Sequence, residues 1–122
     1  MPSYRHWGGE IQDVDSPLIW VNGSGQCHAT VIRFLGLKFV ILSVAGFNAQ
    51  MAAQKGGLVA KLQASLAPDG SNNRQFVRMQ LTPQSMLVIN GETDVAVWTN
   101  TKDLQNNDNT FGSVLYLAKS DN

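Results

Sequence analysis

Few residues in this chain have the type and spacing that reactions require. Cys27 is the only cysteine, and His6 and His28 are the only histidines. Cys27 and His28 are chain neighbours, so on a strand they point to opposite faces and cannot pair as thiolate and imidazolium. A lone cysteine in an apolar run behaves as a small hydrophobe, and that is the role expected of Cys27. A structural zinc site draws on several Cys or His ligands at recognisable spacing, more than one copy of this chain holds. Glu10, Asp13 and Asp15 lack the alternation and central glycine of a calcium loop and read as solvated acids. Asn22-Gly23-Ser24-Gly25 lacks the Gly-Lys-Ser/Thr of a phosphate cradle. Glu92 and Asp94 alternate beside a turn, where charges discourage stray strand pairing. No catalytic residue, metal or cofactor is expected, and the chain reads as a non-enzyme.

One constellation has binding content. In Arg74-x-Phe76-x-Arg78, two cations and an aromatic share one strand face. Sheet surfaces use this arrangement to stack bases and meet phosphates. Arg33, Lys38 and Lys61 extend the patch if their strands lie alongside. In the alternative, Phe76 packs on aliphatic neighbours while the arginine stems cover it and reach the acids Glu92 and Asp94. The binding candidates are therefore Arg33, Lys38, Arg74, Phe76 and Arg78, for an anionic partner or a neighbouring subunit. Tyr4 and Trp7 are the large anchors of an amino-terminal arm suited to reach a neighbour.

Charge favours the protein–protein option. Formal net charge is zero and charged residues make up 15% of the chain, against about 25% in an average soluble domain. From Ser16 to Gly91 the only acid is Asp69, facing Arg33, Lys38, Lys55, Lys61, Arg74 and Arg78. The other acids lie in the two ends. A basic middle between acidic ends can neutralise itself within or between subunits and needs no nucleic acid to do so.

The elements that must position these residues are mostly strands. Residues 1–16 read as an extended arm, and 17–122 as a single β-rich domain. Leu18–Val21, Cys27–Leu35 and Leu37–Val44 are strand-like, the last two as central neighbours across Gly36. Apolar residues on both faces of Leu37–Val44 suggest burial on two sides. Ala45–Lys55 has helical spacing at Phe47, Met51 and Ala52, which predicts one short helix. Leu58–Leu66 fits a strand or, if the helix continues from 45 to 66, an OB-like α+β fold. Arg74–Asn100 holds three runs broken at Thr82-Pro83 and at Asn90-Gly91, the latter a strong hairpin signal. Thr110–Ala118 is a closing strand. About eight short strands near ten residues apart predict an antiparallel sandwich or barrel.

No apolar core of a signal peptide is visible near the start, and no stretch is long enough for a spanning helix. The expected location is cytoplasmic or within a virion. The leading functional expectation is a structural or assembly protein, of the viral shell or capsid-decoration type, that self-associates or joins a larger protein assembly. A single-stranded nucleic-acid-binding domain comes second. A carbohydrate-binding module using Trp20 or Trp98 as a stacking platform comes third.

Overall fold

The computed structural model describes residues 9–48, 55–70, 77–82, 85–90, 92–99 and 111–121. Its strands are β1 (Gly9–Asp15), β2 (Leu18–Trp20), β3 (Ser24–Phe34), β4 (Leu37–Asn48) and β5 (Lys55–Leu62), followed by β6 (Val77–Thr82), β7 (Ser85–Asn90), β8 (Asp94–Thr99) and β9 (Phe111–Leu117). They form two antiparallel sheets. Sheet A has the order β1-β3-β4-β9 and sheet B the order β2-β5-β8-β7-β6, with no closed barrel. The mainly β architecture expected from the sequence is thus an open two-layer sandwich. The β3 and β4 strands are central neighbours, and Asn90 pairs with Asp94 across the β7–β8 hairpin.

Alternation assigns the layers. Along β4, Val40, Leu42 and Val44 face inward and meet Leu87, Ile89, Val95 and Val97 of sheet B in one buried cluster. Full burial of each such side chain contributes about 1.5–3 kcal/mol. Sheet B fits over this core with two irregularities, one extra residue in β5 near Val59 and one in β6 near Leu81.

The helix expected over 45–55 is corrected at both of its described ends. Residues 45–48 continue β4, Lys55 opens β5, and 49–54 lie outside the described residues. The OB-like alternative with a helix to 66 falls with it. The strand β5 runs to Leu62, and Ala64–Leu66 form a single 3-10 turn. The apparent helical spacing of Phe47 has another cause. Gln26 pairs with Ala45 and Ser24 with Asn48, so β4 carries one extra residue there. Gly46 takes a left-handed φ of 62° at this bulge. A bulge shifts the phase of a strand, and Phe47 turns inward against Trp20, with ring centroids 5.5 Å apart.

Two further expectations change. The arm expected over 1–16 contributes β1 from Gly9 onward, fully paired with β3, while Tyr4 and Trp7 lie outside the described residues. Leu37–Val44 is buried on one face only. Its other face, with Leu37, Phe39 and Ile41, is exposed or half-buried.

The β3–β4 hairpin turns on Leu35 and Gly36, with φ of 53° and 78°. Two successive positive φ values suit the right-handed twist of paired strands. Glycine adopts them freely, whereas leucine does so at a cost of about 1–2 kcal/mol.

Candidate functional site

Three sets of side chains stand out, and the first is charged. Arg33 and Lys38 are cross-strand partners at the hairpin end of sheet A, and both turn inward. Lys38 is 4% exposed; its Nζ donates to the Ser65 carbonyl and to Asp121 Oδ1 at 2.7 Å. Arg33 Nε donates to Asp121 Oδ2 at 2.7 Å, and its Nη1 donates to Glu10 at 3.1 Å and Gln12 at 2.9 Å. Hydrogen bonds from Arg33 and then Lys38 hold the Asp121 carboxyl down at about 2, and the bond to Asp121 raises Arg33 in turn. The carboxylate is shared between two cations on two strands.

Around this cluster the tail after β9 is stitched down. Ala118 N–H donates to the Lys38 carbonyl at 2.7 Å and Lys119 N–H to the Ala67 carbonyl at 2.9 Å. The Tyr116 hydroxyl donates to the Leu66 carbonyl at 2.7 Å, and burial pushes its pKa upward. The arrangement is a clasp closing one end of the sandwich.

The sequence candidates therefore separate. Arg33 and Lys38 belong to sheet A and are engaged inside it. Arg78 emerges on the outer face of sheet B, opposite Val88. Arg74 and Phe76 lie outside the described residues, as do His6, Tyr4 and Trp7. Arg33 and Lys38 do not extend a patch around Arg78. Lys61 lies on the outer face of sheet B, where it pairs with Asp94, and Glu92 pairs with Lys119. Basic middle and acidic ends thus meet within one chain at Arg33–Glu10, Arg33–Asp121, Lys38–Asp121 and Lys61–Asp94.

Cys27 and His28 diverge as strand alternation requires. Cys27 packs against the core, where burial raises its thiol pKa. His28 points outward between two carboxylates, Nε2 at 3.4 Å from Asp13 and Nδ1 at 3.5 Å from Asp15. Among the described residues no group of three or more His, Cys, Asp or Glu side chains is arranged to hold a metal ion. A depression of about 520 Å³ opens where β3, β4 and β9 run together, lined in part by His28, Ser43, Phe111 and Ser113.

The third set is apolar. On the outer face of sheet A, cross-strand register aligns Ile11, Ile32, Phe39 and Leu117 in one row. Asp13, Thr30, Ile41 and Leu115 form the next, and Asp15, His28, Ser43 and Ser113 the third. Leu115 is 62% exposed and Leu117 40%. Among the described residues of these strands, outward-facing charged or titratable groups are confined to Asp13, Asp15 and His28, at one corner. Sheet B differs, for its outer face mixes Lys61, Asp94, Arg78 and Gln80 with Leu58, Val88 and Trp98. Trp98 is exposed there, while Trp20 packs on the core. The apolar character of both faces of β4 in the sequence predicts burial on two sides, whereas the outer positions are exposed or half-buried. The signal for this surface was the presence of Phe39 and Ile41 in a strand whose opposite face already filled the core.

No family model, no curated protein and no solved structure matches the chain. Among the described residues, no helix is long and apolar enough to cross a membrane.

Proposed function

We propose that this chain is a non-catalytic structural protein that works through repeated protein–protein contacts, as a shell or decoration component of a viral particle. The observation that carries the reading is the outer face of sheet A, where apolar side chains from β1, β3, β4 and β9 lie in register with charges at one corner only. Exposed apolar patches of several hundred Å² commonly mark interaction sites. The internal pairing of Arg33, Lys38 and Lys61 supports the same reading, because these cations already have protein partners. Size-exclusion chromatography with light scattering and absorbance at two wavelengths tests it. The expected result is an oligomer or particle with a protein-only absorbance ratio. A monomer at every attainable concentration, with no larger species recovered, refutes it.

A second reading, single-stranded nucleic-acid binding, is favoured by one observation. Arg78 and the aromatic Trp98 emerge on the same outer face of sheet B. Its test is a salt titration with an oligonucleotide. Salt-sensitive binding lost in Arg78→Ala and Trp98→Ala supports it, and no binding at low salt removes it.

A further inference from the structure

We infer that the outer face of sheet A is a self-association surface, on which a second copy of this chain docks face to face about a two-fold axis running along the strands between β3 and β4. The inference rests on the assembly reading above and specifies which surface assembles and in which register.

Size comes first. Four strands about 4.8 Å apart, with β3 and β4 followed over the length of Leu37 to Ala45 and the shorter β1 and β9 over 7 residues each, at about 3.3 Å per residue, give a footprint of roughly 500 Å². Two such faces bury about 1,000 Å² in total, the size at which specific interfaces separate from casual contacts. A sheet with an apolar outer face finds a complement in another sheet, packed at about 10 Å with strands nearly aligned.

Charge then selects the symmetry. An axis along the strands lays β1 over β9 of the second copy and β3 over its β4, and it leaves each cross-strand row facing itself. Ile11 then meets Leu117 of the second copy, and Ile32 meets its Phe39. In the polar row, Asp15 meets Ser113 of the second copy and His28 meets its Ser43, so hydroxyl donors come to a carboxylate and an imidazole. An in-plane axis across the strands instead stacks β1 on β1 and brings the Asp13 and Asp15 carboxylates towards their own copies, which is repulsive. The first arrangement lays the Ile11 row on itself and brings Asp15 to a donor, and it leaves Asp13 on the edge strand, opposite Leu115 of the second copy at the rim of the contact.

The β3–β4 turn supplies an independent observation. Leu35 is 83% exposed at its left-handed φ of 53°. Its backbone geometry costs a leucine about 1–2 kcal/mol, and a contact in the assembly would offset that cost. Leu35 stands in the turn next to Phe34 and Leu37, the pair that closes the hairpin end of the face.

Sedimentation equilibrium on the full chain tests the inference, with far-UV circular dichroism confirming the fold of each variant. The wild type is expected to associate. Leu115→Asp places a carboxylate opposite Asp13 of the second copy and is expected to weaken association by about 100-fold or more. Leu117→Lys serves as a second probe at another exposed position should the first variant misfold. Ser113→Lys brings a cation to Asp15 of the second copy and associates at least as tightly as wild type, whereas Ser113→Asp weakens association about tenfold. A wild type that associates equally well with Leu115→Asp and Leu117→Lys overturns this face and leaves the assembly reading standing. Equal weakening by Ser113→Lys and Ser113→Asp overturns the register. A wild type that never associates overturns both.

Discussion

Removing the Asp121 carboxylate leaves an ammonium stranded inside the sandwich. In Asp121→Ala, Lys38 Nζ, whose side chain is 4% exposed in the native fold, keeps the Ser65 carbonyl but loses its anion. Breaking a buried ion pair by deleting one partner costs about 3–5 kcal/mol. The Asp121 side chain is itself 51% exposed, so water reaches the vacated side, and the expected cost falls to about 2 kcal/mol. Arg33 retains Glu10 and Gln12 and adds little. Lys38→Met removes the charge and keeps most of the stem volume, so it is expected to lie within about 1 kcal/mol of wild type. In the Lys38→Met background, Asp121→Ala then costs only about 0.5 kcal/mol, giving a coupling near 1.5 kcal/mol. Urea unfolding of the four proteins at one fixed concentration measures the cycle. Additive effects, or a Lys38→Met variant less stable than Asp121→Ala, refute the view that the carboxylate's role is to neutralise a buried cation.

The same carboxylate gives a pH signature. Its folded pKa of about 2 lies below its ordinary 3.8, so its contribution is complete above the ordinary value and fades as pH falls through about 2; Asp121→Asn is expected to lack this component of acid destabilisation in urea melts between those limits. Leu35→Asn creates the Asn-Gly pair suited to two positive φ values and is expected to raise stability by about 0.5–1 kcal/mol, read from the denaturation midpoint, while weakening self-association. Tyr116→Phe strands the Leu66 carbonyl and is expected to cost about 1–2 kcal/mol with little change in far-UV circular dichroism.

Much of the sandwich was legible because alternation and turn chemistry are local. Asn90-Gly91 and Thr82-Pro83 marked where β7 and β6 end, and Val77, Met79 and Leu81 declared an inner face on their own. Phe47 misled because a bulge moves a side chain to the other face, which mimics helical spacing over a few residues. Gly46 was the available clue. The outer face of sheet A was obscured for a different reason. Strand alternation shows which residues share a face but not whether anything covers it, so Phe39 and Ile41 looked as buried as Val40 and Leu42. The clasp was invisible because it joins Lys38 to Asp121, 83 positions apart; only three-dimensional proximity relates an ordinary surface-type lysine to an acid in a polar tail.

The pairing of β4 with β9 also bears on how the protein is made. Synthesis delivers β1, β3 and β4 first, while the strand that covers the open edge of β4 follows only after β5 to β8. Until Phe111–Leu117 emerge, one long edge of an apolar strand is available to any passing chain, and such edges invite misassembly. Long-range closure of this kind slows folding compared with local hairpins. A crowded polysome making this protein would benefit from a holding chaperone, or from a pause that keeps nascent copies apart until β9 arrives.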